Sequence, residues 1–170
     1  MQDLPFSKDK QAGRTIKKVG TRKAKKKGVR VLDKKLWAIF SKYIRIRDAN
    51  SDGIAMCISC GKPMQVWYSD GKFNAQVHAG HYYTRRYKSL KYDERNVNAQ
   101  CCNCNTFLEG NTQKYREGLI KKYGENIVKE LDEKCENLTI WNQFVYENMI
   151  EQYQEKLNAL MISRNSWSCF

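Results

Sequence analysis

The stretch that decides the fold is NVNAQCCNCN, residues 96–105, a β-prone run that leads directly into a Cys-x-x-Cys pair. A second such pair, Cys57 and Cys60, lies in CISCG, and 40 residues separate Cys60 from Cys101. Two Cys-x-x-Cys pairs on tight turns can place four thiolates tetrahedrally around zinc. The sequence therefore predicts a structural zinc ion held by Cys57, Cys60, Cys101 and Cys104, whose binding energy contributes to folding.

The chain has seven cysteines, so three remain outside this predicted site. Cys102 lies inside the second pair, and we interpret it as a packed neighbour because the two-residue gap fits ligation by its flanking cysteines. Cys135 and Cys169 are most simply unpaired thiols. Without a secretory signal, this cysteine content favours metal binding or reactive thiols over disulfides.

Charge indicates a polyanionic partner. The 170 residues carry a net charge of +13, with a pI of about 9.4. Nucleic acid is the first candidate for the partner and a membrane surface the second. Residues 1–30 hold 11 Lys or Arg against 2 acidic residues, and we expect this segment to be a disordered tail when free. Its lysines 25–27 (Lys25, Lys26, Lys27) are expected on DNA phosphates, and a tail that serves only solubility is the alternative.

Hydropathy predicts neither export nor membrane insertion. The N-terminus lacks an apolar signal core, and no run of about 18 apolar residues occurs. We therefore expect an intracellular, cytoplasmic protein without a membrane partner.

Periodicity predicts an α+β protein. Apolar residues recur at helical spacing from Leu32 to Ile44, which predicts a helix over residues 31–52. Residues 53–125 are predicted to form the zinc-bound core, with a hairpin turning at Ser69-Asp70-Gly71 and a helix opening at the second cysteine pair. Residues 126–170 are predicted to be helical.

Two further signals mark the helical segments after the cysteines. Short helical patterns are parted at Gly124, and a long terminal helix is expected to begin near Thr139, a plausible N-cap. That helix either packs on its own domain or forms the contact of a homodimer.

Between the cysteine pairs lies VHAGHYY, residues 77–83, which holds both histidines of the chain. The order Cys-x-x-Cys, His81, Asn96, Cys-x-x-Cys, Asn105 resembles the HNH, or ββα-metal (His-Me finger), nucleases. The resemblance implies a zinc-bound, treble-clef-like ββα core with flanking helices and an endonuclease activity. The layout is also similar to that of phage endonuclease VII.

The segments CISCG, AGHY, ERNVNAQCCNC and CN…GN, in this order, narrow the resemblance to the NinG (Rap) recombination proteins of lambdoid phages. It covers about residues 35–160. It implies cleavage of branched recombination intermediates, namely Holliday junctions and D-loops. Two departures stand out: the family has Asp at position 78, where this chain has His78, and the common HNH pattern has Asp at position 80, where this chain has Gly80.

On this resemblance we assign His81 as general base and Asn96 as the residue that orients its ring, with Asn98 as a competitor for that role. His78 and Asn105 are assigned as ligands of a catalytic Mg²⁺ or Mn²⁺ ion, with water and phosphate oxygens completing the shell. Each has a structural alternative: the histidines as packing residues beside the zinc, Asn96 as a turn residue and Asn105 as a helix cap.

The basic loop TRRYKSLKYDER, residues 84–95, is expected to grip DNA. Arg85, Arg86, Lys88 and Lys91 are the predicted phosphate contacts, and tyrosines such as Tyr82 are expected to stack on unpaired bases. An ordinary solvated loop is the alternative.

The sequence thus predicts a metal-dependent endonuclease of branched DNA. The alternatives are a less selective HNH nicking endonuclease and a zinc-stabilised DNA-binding module without catalysis.

Overall fold

The computed structural model describes residues 22–68 and 70–165, which form a mixed structure of helices and two small sheets. The mixed α and β class is as predicted. The elements in chain order are α1 (Arg22–Arg47), β1 (Ile54–Met56), β2 (Pro63–Gln65), β3 (Val77–His81), β4 (Val97–Cys101), a π-helix (Asn103–Phe107), α2 (Thr112–Tyr123), α3 (Ile127–Cys135) and α4 (Gln143–Asn165).

Helix α1 begins at Arg22, earlier than the predicted start at residue 31, and ends at Arg47 rather than at residue 52. The earlier start is reasonable because Lys, Arg and Ala are good helix formers even without an apolar stripe. The helix ends where the Asn50 side chain accepts hydrogen bonds from the backbone N–H groups of Asp52 and Ile54, which closes a turn. The disordered tail is predicted over residues 1–30, but residues 22–30 lie in α1, because their lysines and arginines are good helix formers. Residues 1–21 lie outside the described part of the chain, as do the side chains of residues 25–27.

Helix α4 packs along α1 and buries the apolar stripe predicted from the sequence. Phe40 meets Tyr153 edge to face, with ring centroids 4.8 Å apart, and Leu157 is buried in the same cluster. The helix begins at Gln143 rather than at Thr139, because Asn142 accepts a hydrogen bond from the backbone N–H of Val145 and so caps it.

The strands pair differently from the prediction. Strands β1 and β2 form a hairpin around the first cysteine pair, and β3 pairs antiparallel with β4, with His78 opposite Gln100 and His81 opposite Val97. The chain does turn back between Tyr68 and Lys72, where the turn at residues 69–71 is predicted: Trp67 bridges Phe73, Tyr68 N–H donates to the Lys72 carbonyl at 2.9 Å, and Asn74 N–H donates to the Val66 carbonyl at 2.8 Å. This short pairing does not extend into β3. Long-range pairing with β4 prevails because it lets the apolar residues of β3 share one buried face with those of β4.

The β3–β4 ladder has an apolar face and a polar face. Side chains alternate along each strand, so paired residues lie on one face together. The apolar face carries Val77, Ala79, His81, Val97, Ala99 and Cys101, and the polar face carries His78, Gly80, Asn98 and Gln100. The apolar face packs on α1.

Helices α2 and α3 pack beyond the polar face and part at Gly124, as predicted, with Gly124 at φ +96°. Gly118 of α2 lies against the first cysteine turn, because a Cβ there would stand 1.9 Å from the carbonyl oxygen of Ile58. Only glycine permits so close an approach of helix to backbone. Within the described residues, no helix combines the length and the apolar character needed to span a bilayer.

Candidate metal centre and candidate active site

The four predicted zinc cysteines converge. The Sγ atoms of Cys57, Cys60, Cys101 and Cys104 all lie within 4.8 Å of one another. The first pair comes from the β1–β2 hairpin, and the second pair spans the end of β4 and the start of the π-helix. The four cysteines are therefore positioned to bind a metal ion, as predicted.

Backbone and side-chain N–H groups point at these sulfurs. The N–H of Cys101 donates to Cys57 Sγ at 3.4 Å, the N–H of Cys104 donates to Cys101 Sγ at 3.4 Å, and Asn111 Nδ2 donates to Cys104 Sγ at 3.5 Å. Donors of this kind stabilise thiolates and orient metal ligands. The donor set suits a tetrahedral soft-metal site.

The remaining cysteines stand apart from the cluster. Cys102 Sγ lies 4.0 Å from Thr106 Oγ1 and is not among the four converging sulfurs. Cys135 is a free thiol at the end of α3, and Cys169 lies outside the described residues. The interpretation of Cys102 as a neighbour rather than a ligand fits this geometry.

His78 and Asn105 come together, although 27 residues separate them. Asn105 Nδ2 lies 2.9 Å from His78 Nδ1. Asn105 is carried by the π-helix, in which Leu108 N–H donates to the carbonyl of Asn103. Single π-turns are rare and often occur at functional sites. The predicted helix at the second cysteine pair is thus this one turn, because three residues with positive φ, Glu109, Gly110 and Asn111, interrupt the chain before α2.

His81 lies in a different environment, on the apolar face. Its ring stacks on Trp37 of α1, with centroids 5.2 Å apart, and its Nε2 lies 2.9 Å from the carbonyl oxygen of Lys91. A carbonyl can only accept, so Nε2 carries the proton and Nδ1 has the free lone pair in the neutral ring. Nδ1 makes no hydrogen bond within the described part of the chain.

The surroundings of His81 favour the neutral imidazole. Burial lowers its pKa to about 4, and the positive charges of Arg85 and Lys91 act in the same direction, against the opposing effect of the Lys91 carbonyl. The ring is therefore neutral at pH 7.

The predicted link from Asn96 to His81 is wrong. Asn96 is fully buried, and its amide bonds the backbone of the loop instead: Nδ2 donates to the carbonyls of Tyr83 and Leu90, and Oδ1 accepts from the N–H of Tyr83. These three bonds use both N–H donors and one lone pair of Oδ1, as a buried amide requires, since unpaired polar groups are costly to bury. Asn96 therefore shapes the loop that presents Lys91 to His81. Asn98, the competitor, contacts Tyr115, Lys122 and Tyr123 rather than His81.

The two histidines also fail to share one centre. They stand three residues apart on β3, and regular alternation places their side chains on opposite faces. The structure thus joins His78 to Asn105 and His81 to Trp37.

Gly80 is required by Gln100. A Cβ at position 80 would stand 2.1 Å from Gln100 Oε1, so an Asp of the common HNH pattern has no room here. Gln100 is fully buried, and its Nε2 donates to Ser59 Oγ and to the Gly110 carbonyl, both at 2.7 Å. It links the first cysteine turn to the loop before α2.

The basic loop is partly free and partly engaged. Arg85, Arg86 and Lys88 are exposed, and Arg85 lies over the Trp37 ring at 4.6 Å. Lys91 pairs with Asp33 at 2.6 Å, so its charge is already neutralised within the protein. Tyr82 packs against Tyr83 and Tyr115 and is half-buried.

Sequence reasoning missed two residues that shape the site. Trp37 appears in the sequence only as one apolar residue of a helical stripe, and nothing local connects it to a histidine 44 positions later. Gln100 stands in the period-2 pattern of β4, opposite His78, and the alternation could have placed it on the polar face beside Gly80.

Comparison with known proteins identifies the family. The family model described as Bacteriophage Lambda NinG protein matches residues 6–162 of the chain. The chain belongs to the NinG family. Among curated relatives, "Protein ninG" of Escherichia phage 933W is 32% identical over 124 residues, covering 72% of this chain and 55% of that protein.

The ninG proteins of Salmonella phage P22 and Escherichia phage lambda match at the same 32% identity over 124 residues, and 54% of each is covered. The chain therefore spans about half the length of these NinG relatives. No solved structure matches the chain.

Proposed function

We propose that this NinG-family protein is a metal-dependent endonuclease that cleaves branched DNA, such as Holliday junctions and D-loops, in phage recombination. The order of its histidine, asparagine and cysteine motifs supports the proposal, as does its membership of a family named for a phage lambda protein. The single observation that carries it is the His81 ring, held by the Lys91 carbonyl with Nδ1 free.

This arrangement suits a general base. A neutral imidazole with one nitrogen anchored and the other free accepts a proton from water in a fixed direction. The pKa of about 4 lies below the optimum for a base at pH 7, and part of the lowering comes from Arg85. A DNA phosphate bound by Arg85 offsets that charge and raises the basicity of His81 as substrate arrives.

Two metals belong to the proposal. Cys57, Cys60, Cys101 and Cys104 hold structural zinc, which joins the β1–β2 hairpin to β4. His78 and Asn105 hold Mg²⁺ or Mn²⁺. With the Asn105 amide turned by half a rotation, its Oδ1 and His78 Nδ1 would both offer lone pairs, so these two residues would hold the ion. Once bound, it would supply Lewis-acid stabilisation of the phosphate.

The opposite orientation of the histidines favours a second candidate. In a one-metal mechanism, the water activated by His81 and the ion held by His78 must act on the same phosphodiester. Because the two rings lie on opposite faces, one of them has to turn when DNA binds. A zinc-stabilised DNA-binding module without catalysis requires no such change.

Cleavage assays separate these candidates. Wild type is incubated with a labelled four-way junction and with linear duplex, in Mg²⁺, Mn²⁺ or EDTA. We expect junction cleavage that depends on the ion and falls by about 10²-fold or more in His81→Ala. The control is Lys129→Ala, an exposed residue of α3, which should cleave like wild type.

Each outcome of these assays distinguishes between the candidate functions. Binding of the junction without cutting in any ion supports the DNA-binding module. Equal nicking of junction and duplex supports a less selective HNH endonuclease. Full cleavage by His81→Ala overturns the assignment of the base.

The oligomeric state adds a separate test. Symmetric cutting of a junction calls for two active sites, so the proposal includes a homodimer. Because α4 uses its buried face on α1 of the same chain, its outer face would have to form the dimer contact. Sedimentation of the protein with and without a junction measures this directly.

A further inference from the structure

A second group of basic and aromatic side chains lies away from both histidines, where the end of α1 meets α4. We call it the aromatic–arginine cluster, and its members are Lys42, Arg45, Trp67, Phe73 and Arg164. It borders a cavity of about 900 Å³, whose lining includes Trp67, Tyr68, Phe73, Met161 and Arg164.

The cations of the cluster lie over its rings. Lys42 Nζ and Arg45 Cζ each lie 5.0 Å from the centroid of Phe73, and Arg164 Cζ lies 5.5 Å from that of Trp67. Such contacts orient a cation but leave its charge in place.

None of these three cations forms an ion pair with any residue in the described part of the chain. Arg45 donates Nε to the carbonyl of Ser41, and Arg164 donates to the carbonyls that end α1. The Nε atom of Arg164 is buried without a partner. One acid, Asp52, stands at the cavity, outside any ion pair.

Unpaired arginines at a partly buried position are costly. Charged side chains are rarely withdrawn from water without a partner of opposite charge. Burial lowers the pKa of both Arg45 and Arg164, the direction expected when a cation loses water without gaining a carboxylate. An external anion would relieve it.

The aromatic side chains at the cavity favour one kind of anion, a nucleic acid whose bases are accessible. Tyr68 is 48% exposed at the rim of the cavity. Aromatic and guanidinium planes stack on unpaired bases, whereas a duplex keeps its bases stacked on one another. An acidic peptide would use the charges but leave the rings without a matching surface.

We propose that the aromatic–arginine cluster binds an unpaired DNA strand, with phosphates on Lys42 and Arg45 and a base stacked on Tyr68 over the cavity. The inference rests on the proposed function only in taking DNA as the ligand, and it does not depend on cleavage.

The cluster lies within reach of His81 along one helix. Arg45 follows Trp37 by eight residues on α1, or about 12 Å of helical rise. A strand held at the cluster can therefore extend toward the Trp37–His81 stack. This is the path that an unpaired arm of branched DNA would take.

Fluorescence anisotropy tests the cluster with uncut DNA. A fluorescein-labelled oligothymidine and a labelled duplex of equal length are titrated, without added Mg²⁺ or Mn²⁺, against wild type, Lys42→Gln/Arg45→Gln and Tyr68→Ala. The control is Lys114→Gln/Lys129→Gln, which removes two exposed charges outside the cluster. Circular dichroism checks that each variant is folded.

For Lys42→Gln/Arg45→Gln we expect about tenfold weaker binding of oligothymidine and a salt dependence smaller by about 1.4 in log–log slope, since each lost contact removes about 0.7. Tyr68→Ala should also weaken oligothymidine about tenfold while leaving the salt slope unchanged. Duplex binding should change less than twofold in Tyr68→Ala.

The inference fails if the control double variant loses as much oligothymidine affinity as the cluster double variant. It also fails if Tyr68→Ala weakens duplex and single strand equally, or if polyglutamate displaces oligothymidine as well as unlabelled oligothymidine does. Because these assays contain no catalytic ion, a loss of cleavage in His81→Ala leaves their result unaffected, and the two proposals can fail separately.

Discussion

The two faces of the β3–β4 ladder place two neighbouring histidines under different physical rules. On the apolar face, His81 lies under Trp37 among the side chains that join α1 to the strands. On the polar face, His78 meets Asn105, and fully buried Asn98 and Gln100 satisfy most of their groups within the protein. Burial thus fixes the protonation of one ring, whereas hydrogen bonding fixes the partner of the other.

The difference shows that the secondary structure decides whether two residues at a given spacing can act at the same site. Residues at i and i+3 are neighbours on a helix but lie on opposite faces of a strand. The four cysteines escape this constraint because they sit on turns and strand ends, where the backbone can direct all of them to one point.

Removing the metal ligands should unfold both faces of the β3–β4 ladder together. Cys57→Ser/Cys60→Ser takes away two of four thiolates, and structural zinc contributes about 10–16 kcal/mol in small domains, more than a typical domain's stability. We expect loss of bound metal by elemental analysis and loss of a cooperative thermal transition. Cys102→Ser is the matched control and should retain both. A folded double variant with a full metal content would disprove the four-thiolate site.

The pH dependence of stability tests the burial of His81 on the apolar face. The pKa of His81 is about 4 in the folded protein and about 6.5 unfolded, so the unfolded chain takes up a proton first as the pH falls. The stabilisation is therefore complete above about pH 6.5 and is lost as the pH falls toward 4, by roughly 3 kcal/mol in total. Urea midpoints of wild type and His81→Gln, measured between about pH 7.5 and about pH 5, should converge in acid. Parallel curves would show that His81 is not buried as described.

A methyl group at position 80 tests the packing of the polar face. Gly80→Ala places Cβ against Gln100 Oε1 and should destabilise the protein by about 1–3 kcal/mol in urea unfolding. Adding Gln100→Ala should recover part of that loss by making room. Gly28→Ala, where nothing lies within 4 Å, should cost nothing or stabilise α1. Equal effects at positions 28 and 80 would contradict the close contact.

The substitution with the smallest expected effect on stability, at Trp37, compares the two histidine environments most directly. Trp37→Leu removes the ring stacked on His81 and should cost about 1 kcal/mol while raising the pKa of His81 toward its ordinary value. Since the chain has only two histidines, ¹⁵N imidazole spectra resolve both. The His81 titration should move, while the ¹⁵N chemical shifts of the His78 ring at a fixed pH should stay unchanged. Changes at both rings would mean that the two faces are coupled.

Several features of the fold could be predicted from local pattern. The apolar stripes around Phe40 and Tyr153 predict the two long helices that form the largest core cluster. Gly124 marks the break between α2 and α3 because no side chain favours its φ of +96°. Boundaries were less accurate: α4 begins at Asn142's cap and not at Thr139, since both residues are acceptable caps and tertiary packing chose one.

Pairing could not be predicted in the same way. The turn at residues 69–71 has good hairpin chemistry, yet β3 pairs with β4, 16 residues farther along the chain. The choice depends on which pairing buries Ala79 against α1 and Val77 in the cluster around Val66, and that is a property of the assembled core.

The sequence by itself determined the metal centre, because two Cys-x-x-Cys turns carry their geometry locally and need only be brought together. That His78 and Asn105 share a site is what the family resemblance implies, and the structure brings the two side chains to 2.9 Å. Only the tertiary structure decided the surroundings and hydrogen-bond partners of His81 and Asn96. Whether a histidine is neutral, which way its ring points and whether an amide reaches it depend on Trp37, Lys91 and the loop backbone. Those partners are distant in the sequence and become neighbours only when the apolar face is buried.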